Sequence, residues 1–152
     1  MDVGSFRLIE GAGALSVRSW LGMVRVYQGM EHDLDADLRR WGLSSAQFDV
    51  LAIVGANEGL SQQDLARWRM NTKGNVTRLL DRMRHMGLIS RRTDGKYKRL
   101  FLTKQGKRLL EEIEPHHLEL IEECMSPLSH EEQTQLLGLL AKLEAERSND
   151  MG

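Results

Sequence analysis

The sequence predicts a mainly α-helical fold carrying one small β-hairpin. Three observations predict it. Apolar residues fall at three-or-four spacing over most of the 152 residues. Ser44, Ser61 and Ser129 each stand three residues ahead of Gln47, Asp64 or Glu132, the pattern that starts a helix. β-branched and aromatic residues cluster in one place only, on either side of Asp94-Gly95. The length suits a single domain, residues 1–152, with one hydrophobic core.

Residues 14–41 begin the pattern, with Leu21, Val24, Tyr27, Leu34 and Leu38 in an amphipathic stripe, so a long first helix is expected there. Ser44 and Gln47 then form a capping box before Phe48, Leu51, Ala52 and Val54, which predicts a short second helix closed by "NEG". Ser61 and Asp64 repeat the device for a brief third helix whose buried side is Leu65 and Trp68. In "NTKGNVTRLLDRMRHMG", Thr72 is the natural N-cap, Gly87 the natural stop, and Val76, Leu79, Leu80 and Met83 the apolar stripe of a fourth helix.

The period changes at "LISRRTDGKYKRLFLT", where Asp94-Gly95 tolerates the positive φ of a two-residue hairpin turn. Helical spacing returns after Thr103 through Leu109, Leu110, Ile113, Leu120 and Ile121, with Pro115 expected to kink or break it. Ser129 and Glu132 cap a last helix rich in leucine, including Leu136, Leu137, Leu139, Leu140 and Leu143.

Charge separates along the chain. Between Arg67 and Arg108 stand fourteen lysines and arginines against Asp81 and Asp94, a local charge of +12 in a chain whose total is -1, which leaves -13 elsewhere. Such a division points to one face built for a polyanion, the acidic remainder keeping the molecule soluble. The single cysteine, Cys124, fits a reducing compartment. No apolar run approaches the ~18 residues of a membrane span, so a cytoplasmic location and no membrane partner are expected.

Two short capped helices followed by a basic hairpin is the order of a helix-turn-helix with a β wing. A recognition helix enters the major groove N-terminus first, so its first turn needs small or hydrogen-bonding side chains. Thr72, Lys73 and Gly74 meet that need, Gly74 by allowing close backbone approach at a helix-propensity cost of about 1 kcal/mol. Asn75 has the donor and acceptor that match adenine, Arg78 can reach guanine or phosphate, and Thr77 a thymine methyl or phosphate. Arg82, one turn after Arg78, continues that face toward the backbone. Ser61 and Gln62, opening the preceding helix, and Arg92, Lys96, Lys98 and Arg99 on the wing complete the candidate DNA-binding set. Like charges facing one another across a hairpin repel, and a phosphate backbone or narrow minor groove removes that repulsion.

"LSQQDLARW" and "NTKGNVTRLLDRMRHMGLISRRTDGKYKRLFLTKQGKRL" resemble the multiple-antibiotic-resistance regulator (MarR) family of bacterial winged-helix transcription factors, over about residues 15–146. The set K-x-N-V-T-R-L-x-D-R-M-x-x-x-G-L-I-x-R followed by L-T-x-x-G carries the likeness. The resemblance implies a homodimer in which residues 14–41 and 104–146 interlock, leaving the winged helix-turn-helix of residues 44–103 from each copy facing one palindromic operator. It implies a sequence-specific regulator of double-stranded DNA, acting as a repressor and released by a small aromatic or phenolic effector, with no cofactor. Two departures stand out. The wing "DGKYKR" is shorter than the family's D-P-x-D-R-R loop and lacks its second acid, though Asp94 and Arg99 match its first Asp and last Arg. The family's leucine and glycine before the recognition helix are here Arg69 and Met70.

Trp20, Met23, Tyr27 and Phe48 are the candidate lining of an effector pocket, with ordinary core and interface packing as the alternative. No metal site is assigned, because adjacent His116 and His117 point about 100° apart on a helix and cannot chelate one ion together. Cys124 has no basic neighbour to activate it, which favours a structural thiol, although a metal- or redox-responsive regulator of the same fold remains an alternative. A winged helix that docks on an acidic protein or on RNA is the rival binding class. An enzyme is excluded on pattern: no nucleophile-base pair, phosphate loop or paired carboxylates occur at usable spacing.

Overall fold

The computed structural model describes residues 14–69 and 73–149. Its element order is α1 (Ala14–Leu38), a 3-10 turn (Arg39–Trp41), α2 (Ser45–Ala56), α3 (Gln62–Arg69), α4 (Lys73–His85), β1 (Ile89–Asp94), β2 (Tyr97–Leu102), α5 (Lys104–Met125) and α6 (His130–Asn149). The chain is therefore mainly α with one antiparallel hairpin, the winged-helix arrangement expected.

Local signals act where the sequence places them. At α2 the Ser44 hydroxyl accepts from the Gln47 amide at 3.2 Å, and the Ser44 amide donates to Gln47 Oε1 at 3.0 Å. The Ser129 and Glu132 pair does the same for α6. Gly87, at φ +74°, ends α4 in a Schellman motif: its amide bonds Arg84 O and the Leu88 amide bonds Met83 O. The Thr72 N-cap lies outside the described residues.

Packing gathers these elements round one core. Val50, Leu51 and Val54 from α2, Leu65 from α3, Val76, Leu80 and Met83 from α4, and Ile89 and Leu100 from the hairpin are all buried in one cluster, which Leu38 and Ile113 join. Strand-like pairing extends the sheet, since Gly59 N donates to Leu100 O at 2.8 Å and Leu100 N to Leu60 O at 2.9 Å. The start of α5 is clamped beneath the wing: Thr103 Oγ1 donates to Gly87 O, Gly106 N donates to Thr103 Oγ1, and a Cβ on Gly106 would lie 2.1 Å from Leu88 O.

Two expectations fail. Trp68 is not part of the buried side of α3 but is 61% exposed. A helix of eight residues presents little more than one residue per turn to the core, and Leu65 with Ala66 takes that place. Pro115 does not break the helix, since α5 runs through it from Lys104 to Met125. It lies on an exposed side, where the lost amide costs least.

The outer helices are packed differently. Leu38 is the only buried residue of α1, and none of the described side chains of α6 is buried. Leu15, Trp20, Val26 and Tyr27 on α1, Leu118 on α5, and Leu137, Leu139 and Leu143 on α6 are all more than half exposed.

Candidate nucleic-acid interface

An exposed stripe runs along α4 opposite its buried Val76, Leu80 and Met83. Asn75, Arg78 and Arg82 occupy it at helical spacing, and Arg78 Nη2 donates to Asn75 Oδ1 at 3.2 Å. Lys73 and Gly74 form the first turn of the same helix. Beside the far end of α4, Arg82 meets Arg39, Ser44 and Gln47 around a depression at the start of α2. There Asp35 caps α2 from the neighbouring helix: its Oδ1 accepts from Ser45 N at 3.0 Å and its Oδ2 from Arg39 at 2.8 Å. The bond from the Ser45 amide, followed by that from Arg39, holds the Asp35 carboxyl below its ordinary value.

The wing is a regular hairpin in which Arg92 faces Arg99, Thr93 faces Lys98 and Asp94 faces Tyr97. Gly95 and Lys96 therefore form the two-residue turn, one position beyond Asp94-Gly95, with Gly95 at φ +57° supplying the left-handed conformation. Repulsion between the facing arginines is relieved within the wing. Arg92 lies 4.7 Å from the Phe101 ring, while Arg99 Nε donates to Asp94 Oδ2 at 2.7 Å and its Nη1 to Gly59 O at 3.1 Å. Arg99 thus braces the wing against the loop before α3. Lys96 and Lys98 stand exposed at the tip.

Between the wing, α3 and the start of α4 lies a cleft of about 360 Å³. Ser61, Gln62 and Thr77 line it from below, Arg67 and Gln63 from α3, and Lys96, Tyr97 and Lys98 from the wing. Ser61 and Gln62, counted among the DNA-facing residues by sequence, are buried. Ser61 Oγ accepts from Asp64 N at 3.1 Å and donates to Asp64 Oδ2 at 2.7 Å, and the Gln62 amide bonds Thr77 and Arg91. Arg67, Arg91 and Tyr97 lie outside the candidate set read from the sequence. Strand alternation could have found Arg91, because it shares the inward face of β1 with Ile89.

The effector candidates fall into two environments. Phe48 is buried with its ring 4.2 Å from that of His117, whereas Trp20, Met23 and Tyr27 lie along the exposed face of α1. His116 turns the other way from His117, its Nε2 3.2 Å from Asp37 Oδ1 of α1. Among the described residues no group of three or more His, Cys, Asp or Glu side chains could hold a metal ion, and no helix is long and apolar enough to cross a membrane.

An exposed polar and cationic helix beside a basic two-stranded wing, both carried on one apolar core, defines a winged-helix DNA-binding protein. The profile of the MarR family matches residues 41–100. An uncharacterized HTH-type transcriptional regulator of Bacillus cereus is 34% identical over 125 residues, which cover 82% of this chain and 85% of that one. The HTH-type transcriptional repressor YetL of Bacillus subtilis is 31% identical over 137 residues, covering 87% and 81%. Among solved structures, the Staphylococcus aureus MepR–DNA complex superposes with a TM-score of 0.76 at 27% identity, over 84% of this chain and 96% of that one. The chain belongs to the MarR family: it is a DNA-binding transcriptional regulator and not an enzyme.

Proposed function

We propose that the chain is a homodimeric repressor that occupies a palindromic operator, with α4 in the major groove and the wing at the flanking backbone or minor groove. The observation that carries this reading is the pairing of an exposed Asn75–Arg78–Arg82 stripe with a wing whose tip lysines remain exposed while Arg99 is used to hold the wing in place. In this division Asn75 and Arg78 read base edges, and Arg82, Lys96 and Lys98 neutralise phosphates. Arg92, Thr77, Lys73 and Gly74 complete the proposed DNA-binding set.

Dimerisation follows from what a single copy leaves uncovered. Many apolar side chains of α1 and α6 stay largely exposed in their own chain, among them Leu15, Trp20, Val26, Tyr27, Leu137, Leu139 and Leu143, and exposed apolar surface on that scale marks an interface. Residues 14–41 and 104–146 are accordingly assigned to dimerisation and residues 44–103 to DNA binding. A two-fold axis through the outer helices turns two copies of α4 toward one DNA face, hence toward half-sites one helical turn apart. The names of YetL, a repressor, and of the MepR–DNA complex support the same reading.

Release by a small aromatic or phenolic effector completes the proposal, with Trp20, Met23 and Tyr27 of α1 supplying stacking surface where the second copy closes over them. The test is selection of duplexes from a random library, followed by titration of the recovered sequence and of a shuffled one. An inverted repeat bound by two chains is expected. A monomer that enriches no sequence refutes the proposal.

A further inference from the structure

Gln62 is only 8% exposed, yet both ends of its amide are used. Nε2 donates to Thr77 Oγ1 on α4 at 3.0 Å, and Oε1 accepts from Arg91 Nη1 on β1 at 3.2 Å. Arg91, itself mostly shielded, also lies 3.8 Å from Asp81 Oδ1. Thr77 and Asp81 stand one turn apart on the same side of α4. The four side chains therefore close a ring that touches the recognition helix twice, the wing once and α3 once.

The ring has a single polarity. A guanidinium only donates, so the Gln62 oxygen must face Arg91 and its NH2 must face Thr77; the flipped amide sets donor against donor. An apolar side chain of equal size would fill the same space, so packing does not account for a buried amide whose two ends engage two different DNA-facing elements.

We propose that Gln62 is a positioning residue for sequence discrimination. It touches no DNA and acts through Thr77 and Arg91 to hold the recognition helix and the wing in one relative orientation. This rests on the DNA-binding reading above. Base-edge hydrogen bonds demand close geometry, whereas phosphate contacts tolerate displacement and carry no sequence information. Loosening the ring therefore lowers affinity for a preferred sequence while leaving affinity for arbitrary sequence nearly unchanged.

The probe is the duplex enriched by the wild-type protein from random duplexes of about three helical turns, with a shuffled duplex of the same composition as reference. Gln62→Met removes both polar ends at similar size, and the ratio of selected to shuffled affinity is expected to fall about tenfold, with the salt slope on shuffled DNA retained. Gln62→Glu is the rescue variant: its carboxylate accepts from Arg91 and, once the hydroxyl rotates, from Thr77, so the ring stays closed and the ratio should stay within about twofold of wild type. In a Thr77→Val background Gln62→Met should lower the ratio by clearly less than it does alone, because one of the two partners it acts through has gone. A ratio unchanged in Gln62→Met, a loss in Gln62→Glu as large as in Gln62→Met, an equal loss on both duplexes, or full additivity with Thr77→Val overturns the assignment and leaves DNA binding standing. A wild-type protein that enriches no sequence overturns both.

Discussion

Arg78→Ala separates reading of DNA from holding of the fold. Arg78 is exposed, and its hydrogen bond among the described residues goes to Asn75 three residues away on the same helix. Such a pair contributes about 0.2 to 0.5 kcal/mol to folding, so the thermal midpoint should move by no more than about 2 °C. On DNA the same guanidinium can engage a guanine edge, worth about 1 to 3 kcal/mol of discrimination at each half-site. The proposed homodimer would lose it twice, about 2 to 6 kcal/mol in all, which means a fall in affinity of at least roughly thirtyfold for the selected duplex. Fluorescence anisotropy with selected and shuffled duplexes at several salt concentrations measures this directly. Equal losses on the two duplexes would refute the base-reading role and return Arg78 to the phosphate contacts.

Lys98→Ala, at the exposed wing tip, should weaken selected and shuffled duplexes alike and reduce the salt slope by about one unit per wing; a loss confined to the selected duplex contradicts it. Gly106→Ala places a methyl 2.1 Å from the Leu88 carbonyl oxygen, so α5 must lift from its clamp, and calorimetry should show destabilisation of about 3 kcal/mol or more. Burial against Phe48 holds the His117 imidazole below its ordinary value of 6.5, against the opposing pull of Asp49 and Asp37 and with that of neighbouring His116. The unfolded chain then takes up this proton at higher pH than the folded one. Stability is thus fully present above the unfolded value and is lost as pH falls from about 6.5 toward the folded value. Thermal midpoints measured from pH 8 downward should show that decline, and His117→Phe should flatten it; an unchanged slope contradicts the assignment.

Much of the fold was legible because its signals are local. The capping box of Ser44 and Gln47 and the stop at Gly87 act within a few residues and appear at their expected places, and the hairpin forms with its turn one residue beyond Asp94-Gly95. Trp68 misled because helical spacing says which residues share a face but not how much of a short helix its neighbours cover. The candidate interface divides in the same way. Arg78, Lys96 and Lys98 stand exposed where a charge count and the order of elements put them. Gln62 and Arg99 have the right chemistry for DNA but are engaged by tertiary partners, Thr77 and Arg91 for the one and Gly59 for the other, that no local pattern reveals, whereas the inward turn of Ser61 follows from its legible capping pair with Asp64. Arg91 was hidden for the converse reason: a charge on a wing strand suggests solvent, whereas strand alternation turns it toward α4.

Hydroxyl-radical footprinting of the purified protein on its selected duplex probes the account most directly, since the account makes α4 and the wing of two chains one DNA-binding face. Two protected patches related by one dyad should appear, with centres about one helical turn apart, and they should fade as salt is raised. A single unrepeated patch, or a duplex left uniformly cleaved even in dilute buffer, would contradict it.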